Sequence, residues 1–159
     1  MIRHRLDKID RQILAELQAD GRMTNVELAS RVTITAPPCL RRVRVLEQSG
    51  YIKGYHAELD AAALGYEVTA FAFVGLSSQA EADLKAFEEQ VRSWPHVRSC
   101  YMLSGEIDFI LLCVARDLPD FQAFITRQLT AAKNVASVKT ALAIRTSKNE
   151  PGIPISESA

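Results

Sequence analysis

The stretch from Thr24 to Gly50 limits most strongly what this chain can fold into. It reads TNVELASRVTITAPPCLRRVRVLEQSG, with start and stop signals for two short helices and a tight turn between them. Thr24 and Glu27 have the spacing of a capping box, which predicts a helix that begins near residue 25. Thr35 is predicted to cap a second helix, which Gly50 ends. The stretch therefore predicts a helix-turn-helix motif, at about residues 25–44.

The second helix of this pair carries three arginines and almost no acid. At about 100° per residue, Arg41 and Arg44 share one side of the helix with Pro37, and Arg42 adjoins them with Pro38. The opposite arc is apolar and is predicted to pack inward; it holds Cys39, Leu40, Val43 and Leu46. Arginine can pair bidentately with guanine in the major groove, and it also binds phosphate. The arginines therefore favour DNA binding, although a solvated basic face on an ordinary helical bundle is the alternative.

Charge is concentrated in the same region. The chain has 19 basic and 19 acidic residues, so its net charge predicts no partner. Between Arg31 and Lys53, however, five basic residues stand against one acid, Glu47. This local excess supports contact with a polyanion and adds Lys53 as a candidate phosphate contact.

Several functional classes find no support in the sequence. The longest apolar runs, such as Phe109–Ala115, are far shorter than the roughly 20 residues that a membrane helix needs. The three cysteines lack metal-ligand spacing and suit a reducing cytoplasm, which is the predicted location. No nucleophile elbow, phosphate-binding glycine loop or zinc-protease motif occurs. We therefore expect neither an enzyme nor a bound cofactor or metal ion.

The second half of the chain predicts a different architecture. Val68–Leu76 reads as a strand and Ala80–Trp94 as a helix, and two strands, a helix and a last strand follow. This β-α-β-β-α-β order is the ferredoxin-like arrangement, in which two helices cover one face of the sheet and leave the other free for a second subunit. The fold class is thus α+β, with a winged helix-turn-helix domain at residues 1–56, a linker at 57–67, a ferredoxin-like domain at 68–146 and a loose tail at 147–159. Residues 51–55 are predicted to form a short strand and turn.

Longer motifs point to a family. The segment LDKIDRQILAELQADGRMTNVELASRV, followed by PPCLRRVRVLEQSGYIKGY, resembles the leucine-responsive regulatory protein/AsnC (feast/famine) family of transcription regulators. The resemblance extends from about Leu6 to about Lys148. It implies a homodimer that assembles further to a tetramer or octamer, binds double-stranded DNA and commonly senses amino acids between subunits. Thr33 departs from the family, which usually has glycine in this turn. Because a β-branched residue tolerates positive φ poorly, the turn is expected to be either strained or shaped differently.

The resemblance also indicates an effector loop. The family loop reads roughly S-G-D-x-D-[YF], and here it is Ser104-Gly105-Glu106-Ile107-Asp108-Phe109. The resemblance implies that a small amino acid is bound by residues of this loop and of neighbouring strands, namely Met102, Ser104, Gly105, Glu106, Asp108 and Thr140. A glycine lets backbone N–H groups approach a carboxylate, and an acid can meet an ammonium group. A hairpin loop with solvated carboxylates is the simpler interpretation, and a divalent cation would need more ligands than two acids.

Together these patterns predict a sequence-specific DNA-binding transcription regulator. Its DNA contacts are predicted to be Thr35, Pro37, Pro38, Arg41, Arg42, Arg44 and Lys53. Arg41 and Arg44 would contact bases or lie near them, whereas Arg42 and Lys53 would contact phosphates. One competing class is a small-molecule-binding or metabolic ferredoxin-like domain whose helices only mediate assembly. Another is a purely architectural DNA binder.

Overall fold

The chain divides into two structural units. The computed structural model describes residues 5–155. The first unit combines Met1–Glu58 with Lys148–Ala159, and the second comprises Leu59–Ser147. The chain therefore passes from one unit to the other twice, once after Glu58 and once after Ser147.

The first unit is built on three helices. These are α1 (Lys8–Ala19), α2 (Asn25–Arg31) and α3 (Ala36–Gln48). The predicted capping box of α2 is confirmed, since Thr24 and Glu27 each accept a hydrogen bond from the other's backbone N–H. Asp7 and Asp10 form the same reciprocal arrangement at the start of α1. The helices enclose a small apolar core made of Ile13, Leu28, Ala29, Val32, Cys39 and Leu46.

The turn between α2 and α3 closes on a residue that is poorly suited to it. The N–H of Ile34 donates to the carbonyl of Ala29 at 2.9 Å, and that of Thr33 donates to Ser30 at 3.2 Å. This Schellman pattern requires a left-handed residue between helix and loop, which is usually glycine. Thr33 takes that position with φ of +59°. The β-branched Thr33 thus stands at a left-handed position of the turn.

We expect Thr33→Gly to raise the free energy of unfolding of the first unit by about 1 kcal/mol, because glycine adopts this conformation without the steric cost that a Cβ incurs. Urea unfolding followed by circular dichroism measures the change. Thr33→Ala is the matched control, since it keeps a Cβ and should give a smaller gain. A lower unfolding midpoint for the glycine variant would contradict this account of the turn.

The segment after α3 differs from the prediction. Gly50 ends the helix with φ of +75°, and the N–H of Tyr51 donates back to the carbonyl of Leu46 at 3.0 Å. The predicted strand at residues 51–55 does not form, because no other strand lies in the described part of this unit to pair with it. Instead Tyr51 and Ile52 are half-buried against the helical core. The prediction of a strand here was wrong.

The second unit has the predicted β-α-β-β-α-β order. Its strands are β1 (Val68–Leu76), β2 (Val97–Met102), β3 (Phe109–Ala115) and β4 (Val135–Leu142), and its first helix is α4 (Glu81–Arg92). The last helix is α5 (Leu118–Phe124), which continues into a π-helical turn, Ile125–Leu129. The sheet is antiparallel throughout, in the order β2-β3-β1-β4. This is the ferredoxin-like arrangement that the sequence predicted.

The two faces of the sheet differ in how they are covered. On the helical side, side chains of β1 and β3 are fully buried with Phe87 of α4 and Phe124 of α5. Side chains alternate along a strand, so the intervening residues of both strands point the other way. No helix among the described residues covers that second face, and it is strongly apolar. Its large side chains are Phe71, Phe73, Tyr101, Ile110, Leu112 and Val114. We call it the open sheet face.

Candidate nucleic-acid interface and effector loop

The first turn of α3 is fixed by α2. The side-chain amide of Asn25, the first residue of α2, donates to the carbonyl of Ala36 at 2.8 Å. Ala36 is the first residue of α3, so this bond joins the beginnings of the two helices. Cys39 and Leu46 bury the inner side of α3, as predicted, and Val43 is half-buried. Leu40 was predicted to point inward but is 39 % exposed, because it lies at the edge of the buried arc.

Two arginines of α3 are free to reach a ligand. Arg41 and Arg44 are exposed, and neither forms an ion pair with another described residue. Thr35 holds the N-cap position, but its hydroxyl accepts no capping hydrogen bond from the described residues. The exposed Pro37 and the half-buried Pro38 follow in the first turn. The exposed end of α3 thus presents two cations and an unengaged hydroxyl.

Arg42, a predicted phosphate contact, forms two ion pairs within the chain. Its Nη1 atom lies 2.7 Å from Oδ1 of Asp10 and 2.8 Å from Oδ2 of Asp7. Asp10 is only 1 % exposed, and it is the one charged residue buried among residues 5–155. The two carboxylates raise the pKa of Arg42, and the pKa of Asp7 is lowered by a hydrogen bond from Asp10 N–H and by Arg42. The guanidinium that was predicted to contact phosphate thus joins α3 to α1.

Lys53 follows α3 and is exposed at the rim of a cleft in the first unit. It forms no ion pair with the described residues. The neighbouring Tyr55 donates its hydroxyl hydrogen bond to Oε1 of Glu47, in the last turn of α3, at 3.0 Å. Burial and the Glu47 carboxylate raise the pKa of Tyr55 to about 12, so the phenol stays protonated and remains a donor. This bond ties the segment that carries Lys53 to α3.

The effector loop lies between β2 and β3. Ser104, Gly105 and Glu106 are exposed at its tip. Gly105 has φ of +144°, a conformation that favours glycine, while a Cβ placed there would meet no atom within 4 Å. Glycine is therefore required by the backbone conformation and not by crowding. The loop leaves space in front of its backbone, as a carboxylate-binding turn needs.

Asp108 is already engaged within the chain. Its Oδ2 accepts a hydrogen bond from the N–H of Leu76 at 2.6 Å. Leu76 lies at a β-bulge, where the pairing of β1 with β4 shifts register after Gly75. A bulge leaves a backbone group without its usual partner on the neighbouring strand. Here that group is the N–H of Leu76, and the carboxylate of Asp108 accepts its hydrogen bond. One oxygen of Asp108 thus supports the sheet.

The predicted effector residues do not all come together in one chain. Met102 pairs with Phe109 at the base of the loop, so it lies beside the loop residues. Thr140 lies on β4, where it pairs with Ala72 of β1. In the sheet order, β4 is two strands away from β3, which follows the loop. Neither Met102 nor Thr140 is buried. Met102 and Thr140 therefore lie at opposite edges of the sheet within one chain.

Some structurally important residues were missed by the sequence interpretation. None of Asp7, Asp10 and Gln18 was predicted to contact a distant part of the chain. Asp10 had left a signal, because it is an acid among the apolar positions of α1, next to Ile9 and three residues before Ile13. An acid at such a position predicts a buried ion pair. Gln18 carried no comparable signal.

The unit with the helix-turn-helix motif and the separate α+β unit define a class: a two-domain DNA-binding transcription regulator. A family model described as winged helix-turn-helix DNA-binding matches residues 6–53. A second, described as the Lrp/AsnC ligand binding domain, matches residues 69–153. The chain belongs to the Lrp/AsnC family of transcription regulators, and it is not an enzyme.

Individual relatives agree with this assignment. A leucine-responsive regulatory protein from Rhizobium meliloti (strain 1021) is 57% identical over 149 residues, which cover 94% of this chain and 96% of the relative. The Bkd operon transcriptional regulator of Pseudomonas aeruginosa is 41% identical, over 88% of this chain and 92% of its own. Among solved structures, a transcriptional regulator from Neisseria meningitidis in complex with L-Met has a TM-score of 0.90 at 35% identity, covering 94% of this chain and 97% of that one.

Two further features are absent from the described part of the chain, a membrane-spanning helix and a metal-binding cluster. Within residues 5–155, no helix has the length and apolar character needed to cross a bilayer. The same residues contain no cluster of three or more His, Cys, Asp or Glu side chains placed to hold a metal ion.

Proposed function

We propose that α3 enters the major groove of DNA with Arg41 and Arg44 directed at base edges. The observation that carries this proposal is that these two arginines are exposed and form no ion pair with any of residues 5–155, whereas Arg42 between them is held by α1. Lys53 and the Thr35 hydroxyl are proposed to contact backbone phosphates at either end of the helix, with Pro37 and Pro38 packing beside the sugar-phosphate chain. Arg42 is left out of the contacts. As a DNA-binding regulator, the protein would act in the cytoplasm.

Arg41→Ala and Lys53→Ala test this division of roles. Arg41→Ala should cost roughly 1–3 kcal/mol on the preferred sequence and relax the preference at one base position. Lys53→Ala should weaken binding to all sequences alike and lower the slope of log affinity against log salt by about 1. Selection of bound genomic fragments followed by titrations at several salt concentrations measures both. Lys85→Ala, which removes an exposed lysine of α4 in the other unit, is the control for a general loss of folded protein. Parent-like binding by both variants would contradict the groove assignment.

We also propose that the protein is a homodimer formed through the open sheet face, and that dimers assemble further to tetramers or octamers. Large apolar side chains rarely form a contiguous exposed patch on a monomer, and such patches mark interfaces. Two copies related by a two-fold axis would place the same face against itself. A dimer also presents two α3 helices to half-sites one or more helical turns apart. The open face therefore supports a dimer that reads a pseudo-palindromic operator.

The effector is proposed to be a small apolar amino acid, such as leucine or methionine. The L-Met complex of the Neisseria relative supports this choice of ligand class. In this chain, the backbone at Gly105 would receive the carboxylate and Glu106 or the second oxygen of Asp108 the ammonium group. Ser104, Met102 and Thr140 would complete the site. Because Thr140 lies two strands from the loop, the site is proposed to form between subunits.

Thermal shift measurements with the twenty amino acids test the effector. We expect leucine or methionine at millimolar concentration to raise the melting temperature, and Glu106→Ala to reduce the shift, because the variant removes an exposed carboxylate that supports no fold contact. Asp108→Ala is a less informative variant, since it also removes the hydrogen bond to Leu76 and should lower the melting temperature without ligand. If no amino acid shifts the parent protein, the effector site is absent.

A further inference from the structure

The segment after β4 returns to the first unit and is held there by a specific pair of hydrogen bonds. The side-chain amide of Gln18, in the last turns of α1, donates to the carbonyl of Ile153 at 2.8 Å. The Oε1 atom of the same amide accepts from the N–H of Ile153 at 3.0 Å. A primary amide that satisfies both backbone groups of one residue fixes the position and direction of the passing chain. This pairing contrasts with the loose tail that the composition predicted.

Gly152, which precedes Ile153, suits the pair of hydrogen bonds between Gln18 and Ile153 in two ways. Gly152 has φ of +82°, which favours glycine. A Cβ at this position would also overlap the side chain of Gln18. The flanking Pro151 and Pro154 restrict the backbone on either side, which lowers the entropy lost on docking. Any other residue at position 152 would therefore disturb both the turn and the amide pair.

The docked segment completes a cleft next to the proposed DNA contacts. The cleft has a volume of about 430 Å³ and is lined by residues of α1, of the segment after α3 and of the returning chain. Leu14 and Leu17 form its apolar part, and Lys53 stands at its rim. Closer to the end of β4, Asn149 donates to Oε1 of Glu58 at 3.2 Å. The returning chain thus contacts the first unit at both of its described ends.

We propose that Lys148–Ile155 is a strap that completes the DNA-binding unit, and that its release lowers DNA affinity. The strap is bonded to Gln18 of α1 and lines the same cleft as residues 51–55, the segment that carries Lys53. Tyr55 in turn donates a hydrogen bond to Glu47, which ties this segment to the last turn of the proposed recognition helix. The expected loss of affinity rests on the proposed phosphate contact of Lys53, whereas docking of the strap does not.

Hydrogen–deuterium exchange of the full-length protein tests the docking. We expect the peptide that contains Ile153 to exchange slowly in the parent. In Gln18→Ala and Gly152→Ala, which disrupt the amide pair, it should exchange about tenfold faster, which corresponds to about 1.4 kcal/mol. Gly65→Ala is the matched control. Gly65 has φ of +79° but open space around it, so the variant has the same backbone cost without touching the strap. Exchange at the intrinsic rate in the parent would overturn the proposal.

DNA titrations of the same variants test the functional part. Gln18→Ala and Gly152→Ala should bind operator DNA about three- to tenfold more weakly, while Gly65→Ala binds like the parent. Unchanged affinity in both strap variants, despite faster exchange, would overturn the role of the strap in DNA binding. If Lys53→Ala also binds like the parent, the phosphate contact has failed, although the exchange result still decides whether the strap docks.

The double variant E58C/N149C, which leaves the amide of Gln18 in place to hold Ile153, shows which chain supplies the strap. A short bismaleimide cross-linker should give a product with the mass of one subunit, because the structure joins the two positions within one chain. The native cysteines at positions 39 and 113 are buried, and burial raises the pKa of the half-buried Cys100 to about 11, so these thiols react slowly. A covalent dimer as the main product would overturn the assignment of the strap to its own unit.

Discussion

Arg42→Ala is expected to lower the free energy of unfolding of the DNA-binding unit by about 3 kcal/mol, a large part of the stability of a small domain. The reason is the burial of Asp10, whose carboxylate loses the cation that lies 2.7 Å away. Part of the Arg42 side chain is in contact with water, so the cost falls at the lower end of the range for broken buried pairs. Urea unfolding followed by circular dichroism measures it.

Two optical signals separate the units in this experiment. The single tryptophan of the chain, Trp94, packs against Phe87 and Phe124 in the ligand-binding unit. In Arg42→Ala, the transition followed by Trp94 fluorescence should therefore occur at the same urea concentration as in the parent. The circular dichroism signal of the helices in the first unit should be lost at a lower urea concentration. Arg44→Ala, an exposed arginine on the same helix, is the matched control and should leave both transitions unchanged. If Arg42→Ala instead unfolds like the parent but binds DNA more weakly and with less dependence on salt, Arg42 contacts a DNA phosphate.

The same ion pair predicts a dependence on pH. The pKa of Asp7 is lowered in the folded protein, so its contribution is present above the pKa of the unfolded chain and is lost as the pH falls through the lowered value. The stability difference between the parent and Arg42→Ala should consequently narrow as the pH falls from about 5 to about 3. Urea midpoints across this interval measure it. A difference that widens on acidification would contradict the pairing of Asp7 with Arg42.

Phe71→Glu is expected to separate the proposed dimer and to lower affinity for a two-half-site operator by about 100-fold or more. Phe71 lies on β1 between Leu112 of β3 and Ala141 of β4, near the middle of the open sheet face. A carboxylate there would be buried without a partner at the interface, which association cannot compensate. A monomer also loses the gain in effective concentration that comes from two linked α3 helices.

Light scattering after size-exclusion chromatography gives the mass, and titration with one-half-site and two-half-site DNA gives the affinities. Ala86→Glu is the control, because it adds the same charge at an exposed position of α4. Binding to a single half-site should change little in Phe71→Glu, since the DNA-binding unit is untouched. A variant that keeps the parent's mass would show that the subunits associate through another surface.

The parts of the fold that the sequence predicted are those governed by neighbours along the chain. Capping boxes span three residues, so Thr24 with Glu27 could be recognised directly. Strand alternation and the spacing of apolar residues similarly indicated β1 and α4 within a few residues of their ends. The strand expected at residues 51–55 failed, because a strand also needs a partner, which local sequence does not supply.

The candidate site depends more on contacts between distant residues. Arg42 meets Asp10 across 32 positions and Asp7 across 35, so its role follows from how α3 packs on α1. The carboxylate of Asp108 reaches Leu76 across 32 positions, and Gln18 reaches Ile153 across 135. The sequence around a polar residue is the same whether its side chain faces a ligand or another part of the chain. The helix periodicity therefore placed the arginines, while the packing of the folded unit distinguished among them.

The double passage of the chain between units makes the DNA-binding unit discontinuous, with the ligand-binding unit inserted into it. During synthesis the three helices leave the ribosome first, but their last piece arrives only after the whole inserted unit has been made. A fragment that stops after Glu58 consequently lacks part of its own domain. The order of translation thus delays completion of the DNA-binding unit until the second unit has been synthesised.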